Sequence, residues 1–254
     1  MELGSQRRNS RLIKVTLLIM TFWASIPVLW ILRDVGRMIF APIIYYDNGI
    51  FFTLLKNTSI FVGSALIISV VCCVTAGFVL AVLDVPFRRF LLFATLVTML
   101  IPITAMAMPL YVMIDALGLN DTLLGLILAS SFFPFGAFLS YLYYTSVLPP
   151  DLVGMGRIDG LGDFGIYRYL GIPLSKSLIS VVTFFCFVSL WNSYHLPRIL
   201  LVEPSKSIMS IGIEAFYGQG TTLIAIIMVI PSVLLYLASQ KTIARGIFSG
   251  AVKE

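Results

Sequence analysis

His195 is the chain's single histidine and stands in a group with Trp191, Asn192 and Tyr194. The four offer ring faces for stacking and polar tips for hydrogen bonds, the chemistry that holds a neutral polyhydroxylated molecule such as a sugar. An aromatic belt at a membrane–water boundary uses the same residue types. One histidine does not make a hydrolytic site, which needs a nucleophile with its base, or a set of metal ligands. No HExxH and no GxSxG pattern occurs, and Cys72, Cys73 and Cys186 all stand in apolar runs, as small buried hydrophobes do. There is no GxxxxGK[ST] phosphate loop, and no lysine follows a glycine. The chain is therefore expected to be no enzyme, with no catalytic residue, no metal ligand and no cofactor of its own. Any nucleotide is hydrolysed in another chain.

The second constellation is the polar, glycine-rich stretch Asp151–Ser175, which carries Arg157, Asp159, Asp163 and Arg168. Pro149 and Pro150 end the preceding apolar run, since proline cannot continue a helix interior. Asp151 then suits the first turn of a short new helix, where negative charge complements the dipole. Leu152, Met155 and Ile158 recur three apart and form an apolar stripe. Gly154 and Gly156 leave the neighbouring faces nearly flat. Asp159-Gly160 marks a turn. Phe164, Tyr167 and Leu170 make a second stripe, and Gly171-Ile172-Pro173 closes the loop. Such a helix can lie flat on a membrane surface or sit in a groove on another protein.

The elements that must position these residues are membrane spans. Of 254 residues, 59% are hydrophobic and 11% charged, with a mean hydropathy of +1.00. A soluble domain averages about 25% charged residues, and so little charge cannot cover a water-facing surface, so the class is an all-α integral membrane protein. A span takes about 20 apolar residues. Six are predicted, at 15–32, 59–83, 90–114, 122–144, 177–197 and 220–240, after a segment 1–14, with the loop 145–176 between the fourth and fifth. Residues 15–254 read as a single domain. Arg7, Arg8, Arg11 and Lys14 followed by a long apolar run read as a retained first span. Asn57-Thr58-Ser59 is expected to cap the second span. Pro102 and Pro109 are positioned to kink the third. With both termini on one side, twelve basic residues fall there and five opposite, which makes the termini and the loop cytoplasmic. The net charge of +5 then belongs to span flanks and implies no nucleic-acid partner. No acidic or basic residue lies within a predicted span, although ion-driven carriers need one at depth.

The loop resembles the cytoplasmic signature of binding-protein-dependent ABC importer permeases. That signature has a Glu-Ala-Ala triplet, a glycine four positions after it, and an apolar-x-Leu-Pro ending ten residues later. Gly160 stands at the glycine, and Leu170, Ile172 and Pro173 at the ending. Arg157-Ile158-Asp159-Gly160 and Pro173-Leu174-Ser175-Lys176 also match. Leu190-Trp191-Asn192-Ser193 is similar to the Trp-Asn group of carbohydrate permeases, and Ala244–Lys253 to the C-terminal end of the maltose-permease-like subgroup. The resemblance runs from about residue 55 onwards. It implies a multi-pass protein of a bacterial inner membrane, with six helices and a coupling helix. It also implies a second permease, two cytoplasmic ATPase subunits holding ATP-Mg, and an external solute-binding protein. The expected cargo is a sugar or oligosaccharide; a glycerol phosphate or other polyol importer shares the signatures, and a nucleotide-independent channel would use the same helices. Expected coupling residues are Asp151, Leu152, Gly154, Met155, Gly156, Ile158, Asp159, Gly160 and Pro173. The departure is the triplet itself, which is Gly154-Met155-Gly156. The family's glutamate, linked to a charge contact with the ATPase, is absent, and Asp151 and Asp159 are the nearest carboxylates.

Overall fold

The computed structural model describes residues 49–212 and 227–240, with scattered residues between 14 and 29. Every regular element among the described residues is helical. Two helices are long and apolar enough to cross a membrane, or up to four if each of two bent pairs counts as one. The predicted first span is described only in part, and its described residues are helical. Segment 1–13, the start of the sixth span and the tail after residue 240 lie outside the described residues.

The spine is α1, Ile50–Val82, 33 residues without a break. At 1.5 Å per residue it measures about 50 Å. It begins at Ile50 rather than Ser59, so Asn57, Thr58 and Ser59 are not a cap. Gly49, at φ +80°, precedes the helix instead. Thr58 and Ser59 return their hydroxyls to the carbonyls of Leu54 and Leu55, the mid-helix bond open to short polar side chains. Asn57 and Thr58 also reach outwards, as described below.

The third predicted span is two helices, α2 (Arg88–Leu100) and α3 (Ile103–Ala116), bent by 109°. Ile101 and Pro102 are extended at the break, because the residue before proline is pushed out of the helical region. Pro109 sits inside α3 without ending it. The fourth span is α4 (Leu123–Ser130) and α5 (Pro134–Val147), interrupted at 131–133. Here the Thr122 hydroxyl caps α4 by accepting from the Gly125 amide at 3.0 Å. Ser131 O, left without a helical amide, accepts from Ser69 of α1 at 3.0 Å, and Phe133 O, which already takes the first amides of α5, also accepts from the Cys73 thiol at 3.1 Å. That supply of partners is what lets a helix break inside an apolar medium.

Next come α6 (Pro150–Ile158), α7 (Asp163–Ile166), a π-helical turn Tyr167–Gly171 and α8 (Ile172–Leu174). The axis then bends by 75° into α9, Lys176–Trp191. The predicted fifth span thus ends at Trp191, and His195 opens a separate helix α10, His195–Leu200. A 3₁₀ turn at Pro204–Lys206, α11 (Met209–Gly212) and α12 (Ile227–Gln240) complete the described elements.

Two cores share α1. The first gathers Phe61, Val62 and Ala65 of α1 with Leu126 of α4 and Cys186 and Leu190 of α9. The second gathers Cys73, Val74 and Phe78 of α1 with Tyr144 of α5, Val153 of α6 and Ile166 of α7. Beside the second core α1 and α5 approach at Gly77, whose missing side chain leaves room for the buried Ser140.

Candidate functional site

The loop forms the short helix its sequence predicts, α6, with Pro149 before it and Asp151 in its first turn. One face is locked into the protein. Val153 and Gly156 are buried, and a Cβ on Gly156 would stand 3.3 Å from Leu170 and 3.6 Å from Leu161. Leu152 is half-buried against the same core. The other face is open, with Met155 63% and Ile158 86% exposed. The predicted docking stripe is therefore split: Leu152 turns inwards while Met155 and Ile158 project. A Cβ on Gly154 would meet nothing within 4 Å, so packing does not exclude a longer side chain there. Asp159 follows the helix, and Gly160 turns the chain at φ +84°. The second stripe also divides. Phe164 is 74% exposed, whereas Tyr167 and Leu170 pack into the core. Arg157 meets Asp163 at 2.7 Å, bracing α6 against α7. Pro173 lies exposed in α8.

At some distance, three helix breaks converge. Ile101 at the first break, Phe132 and Phe133 at the second, and Asn192, Ser193 and Tyr194 at the third all line one cleft of about 630 Å³. His195 lines it too, its ring edge-to-face with Tyr194 at 5.6 Å. No lysine, arginine, aspartate or glutamate among the described residues lines this cleft. Broken helices around a cavity expose backbone polar groups where a solute can reach them. Of the four residues expected on a substrate path, Asn192, Tyr194 and His195 are here. Trp191 is not: it is buried, stacked on Phe187 at 5.4 Å, and its indole donates to Met228 O at 2.7 Å. It ties α9 to α12. Among the described residues no group of three or more histidines, cysteines or carboxylates stands together as a metal site.

Residues 73–249 match the family described as the binding-protein-dependent transport system inner membrane component. The chain belongs to that family. Two relatives are sugar-uptake permeases by name. The diacetylchitobiose uptake system permease protein NgcG of Streptomyces coelicolor is 27% identical, over 98% of this chain and 91% of its own. The melibiose/raffinose/stachyose import permease protein MelC of Bacillus subtilis is 28% identical, over 78% of this chain and 74% of its own. The crystal structure of a bacterial ABC transporter involved in the import of the acidic polysaccharide alginate shares the fold. Its TM-score is 0.76 at 22% identity, covering 93% of this chain and 97% of that one.

This transport-system membrane component has a further tether that sequence reasoning misses. Asp121, at the start of the fourth span, adopts φ +53°. Its Oδ1 accepts from the amides of Val202 and Glu203 at 2.9 and 3.1 Å, and its Oδ2 from Lys206 Nζ at 3.0 Å. Lys206 also meets Glu203 at 2.9 Å. The two amides and then Lys206 hold the Asp121 carboxyl below the usual carboxylate range. Ser205 and Lys206 lower Glu203, and Glu203 and Asp121 raise Lys206. From α1, Asn57 donates to the carbonyls of Ser205 and Ser207, both at 2.9 Å. The Met209 amide donates to the Thr58 hydroxyl at 2.8 Å. In the sequence, the only signal is an isolated aspartate and an isolated lysine in weakly charged connections.

Proposed function

We propose that this chain is one of two permeases in an ATP-driven importer that moves a sugar or oligosaccharide by alternating access. Six spans carry it through the bacterial inner membrane, with both termini and α6 on the cytoplasmic side. A second permease completes the pathway, an external binding protein delivers the solute, and two ATPase subunits hold the ATP-Mg. The carrying observation is the division of α6 into a face packed in the protein and a face that projects Met155 and Ile158. A helix held this way moves as a body with whatever seats its free face. The seat is expected to be an apolar groove on an ATPase subunit. Asp151 and Asp159 are the carboxylates available beside it, in place of the family's glutamate.

The cleft supports the solute class. Its described lining has no lysine, arginine or carboxylate and holds the Tyr194 and His195 rings with Asn192, which suits a neutral polyhydroxylated molecule. A phosphorylated polyol would need cations, and none of the lining residues is a lysine or arginine. The sugar-uptake names of NgcG and MelC point the same way, while relatives named for sn-glycerol-3-phosphate transport are 24% identical.

The test begins with purification of the assembled complex. A stoichiometric nucleotide-binding subunit is expected, and Met155→Asp should release it. Gly160→Val forces a branched side chain into a positive φ and should abolish stimulation of ATP hydrolysis by the binding protein. Flux without nucleotide, from a chain that purifies without an ATPase, would instead establish a channel.

A further inference from the structure

The packing of α6 leaves open how its movement reaches the far end of the protein. Its principal partner among the elements is α7, the helix that follows it. α6 follows α5 directly and shares the second core with α1 through Val153, and its onward route along the chain runs through the rest of the loop. The place where the loop grips a long helix is the π-helical turn Tyr167–Gly171. Its wide backbone bond runs from the Ile172 amide to Tyr167 O. Single π turns inside helices are uncommon and cluster at functional positions. This one brings two contacts onto α1 together. Gly171 lies flat on Phe78, where a Cβ would stand 3.2 Å from the ring. The Tyr167 hydroxyl hydrogen-bonds Thr75 Oγ1 at 2.9 Å, beside Phe78 with ring centroids 4.8 Å apart.

The helix so gripped is the unbroken α1. Every other predicted span that is described in full contains or ends in a break. Eighteen residues from Thr75 (75 minus 57), about 27 Å along the axis, Asn57 and Thr58 hold the backbone of 205–209. One rigid helix thus has a directional grip at each end. We infer that the Tyr167–Thr75 hydrogen bond at the π turn is the joint through which α6 drives α1, and that α1 carries the movement to segment 203–209. Tyr167 and Thr75 are positioning residues. The inference rests on the proposed docking of α6 on an ATPase.

Hydrogen exchange on the complete importer in lipid nanodiscs, nucleotide-free against trapped with ATP and vanadate, tests it without knowledge of the solute. In the native protein trapping should change exchange both in 150–160 and in 203–209. In Tyr167→Phe and in Thr75→Val the first response should stay. The second should fall by about fivefold, the factor one ordinary hydrogen bond brings to an equilibrium. Thr75→Ser, which keeps the hydroxyl, should restore it, and the double variant should be no worse than either single one. An unchanged response at 203–209 in both single variants overturns the joint, as does loss of the response at 150–160. A native protein that responds at 150–160 but not at 203–209 also overturns it and leaves the docking proposal standing. A native protein that responds at neither overturns both.

Discussion

The two ends of α1 are held by different physics. At the loop end Phe78 meets Tyr144 edge-to-face at 5.5 Å and Tyr167 at 4.8 Å, within a buried core. At the far end the partners are the carbonyls of Ser205 and Ser207 and the amide of Met209, in a segment braced in turn by Asp121, Glu203 and Lys206. Those three side chains are between 29% and 51% exposed. Burial makes the first grip insensitive to salt and pH but intolerant of changes in volume. At the far end Asn57, Thr58 and Met209 are buried as well, and what is open to titration and screening is the exposed cluster of Asp121, Glu203 and Lys206 that braces the segment they hold. On the proposed function, the loop end has to keep its shape when α6 is displaced.

The largest effect is expected from breaking the packed end. A Cβ on Gly77 would overlap the side chain of Ser140 and stand 2.6 Å from its carbonyl carbon. The Ser140 Cβ is fixed to the α5 backbone and its carbonyl carbon is part of it, so neither can swing aside, and α1 and α5 must separate. Overpacking of this kind costs about 1–3 kcal/mol or more. Gly77→Ala should lower the thermal unfolding midpoint of the purified protein and loosen Tyr144, read by hydrogen exchange along α5. A midpoint equal to that of the native protein would show that the loop end is not the tightly packed one.

The polar end should respond to pH instead. The Asp121 carboxyl titrates lower in the folded protein than in the unfolded chain. Its contribution is therefore complete at neutral pH and is lost as pH falls through its depressed value. Lys206 is raised, so its contribution is complete below the ordinary lysine range and is lost as pH rises through the elevated value. Protection of the Val202 and Glu203 amides should thus be level through neutral pH and decline at both extremes. Asp121→Ala removes all three acceptor contacts and should abolish that protection. Asp121→Asn keeps an acceptor for the two amides and loses the charge on Lys206, so it should fall between. High salt should weaken the Lys206 contact and spare the amide bonds. Equal protection in Asp121→Ala and the native protein would remove the tether from the comparison.

What the sequence makes legible follows the range of the interactions involved. The α6 helix is readable because Pro149-Pro150, Asp151 and Asp159-Gly160 act within a few residues of themselves. The break at Pro102 is readable for the same reason. Asn57-Thr58 looks like a cap from sequence because short polar residues at a helix start and in mid-helix look alike. The carbonyls and amide that occupy them lie about 150 positions away in the chain. Trp191 falls on the expected solute path by its neighbours in sequence, but its direction is set by Phe187 and Met228. The break at 131–133 carries a partial sign in Pro134, but the partners that permit it, Ser69 and Cys73, come from another span. The inward turn of Tyr167 depends on α1, which no spacing within the loop reveals.

The smallest expected effect isolates the free face of α6 from its locked face. Gly154 and Gly156 are two residues apart in one helix, and both stand where the family triplet has larger residues. A Cβ at 154 meets nothing within 4 Å, whereas one at 156 comes 3.3 Å from Leu170. Glycine in a helix interior costs roughly 0.5–1 kcal/mol against alanine, through backbone entropy. Gly154→Ala should therefore stabilise α6 by about that amount, seen as slower exchange of its amides, with no change in the core. Gly156→Ala gains the same entropy but must displace the Leu170 methyl by a few tenths of an ångström, so its net effect should be smaller or reversed. If the two substitutions were equally stabilising, α6 would be free on both faces. It could not then transmit force, and its role would reduce to lying on the membrane surface.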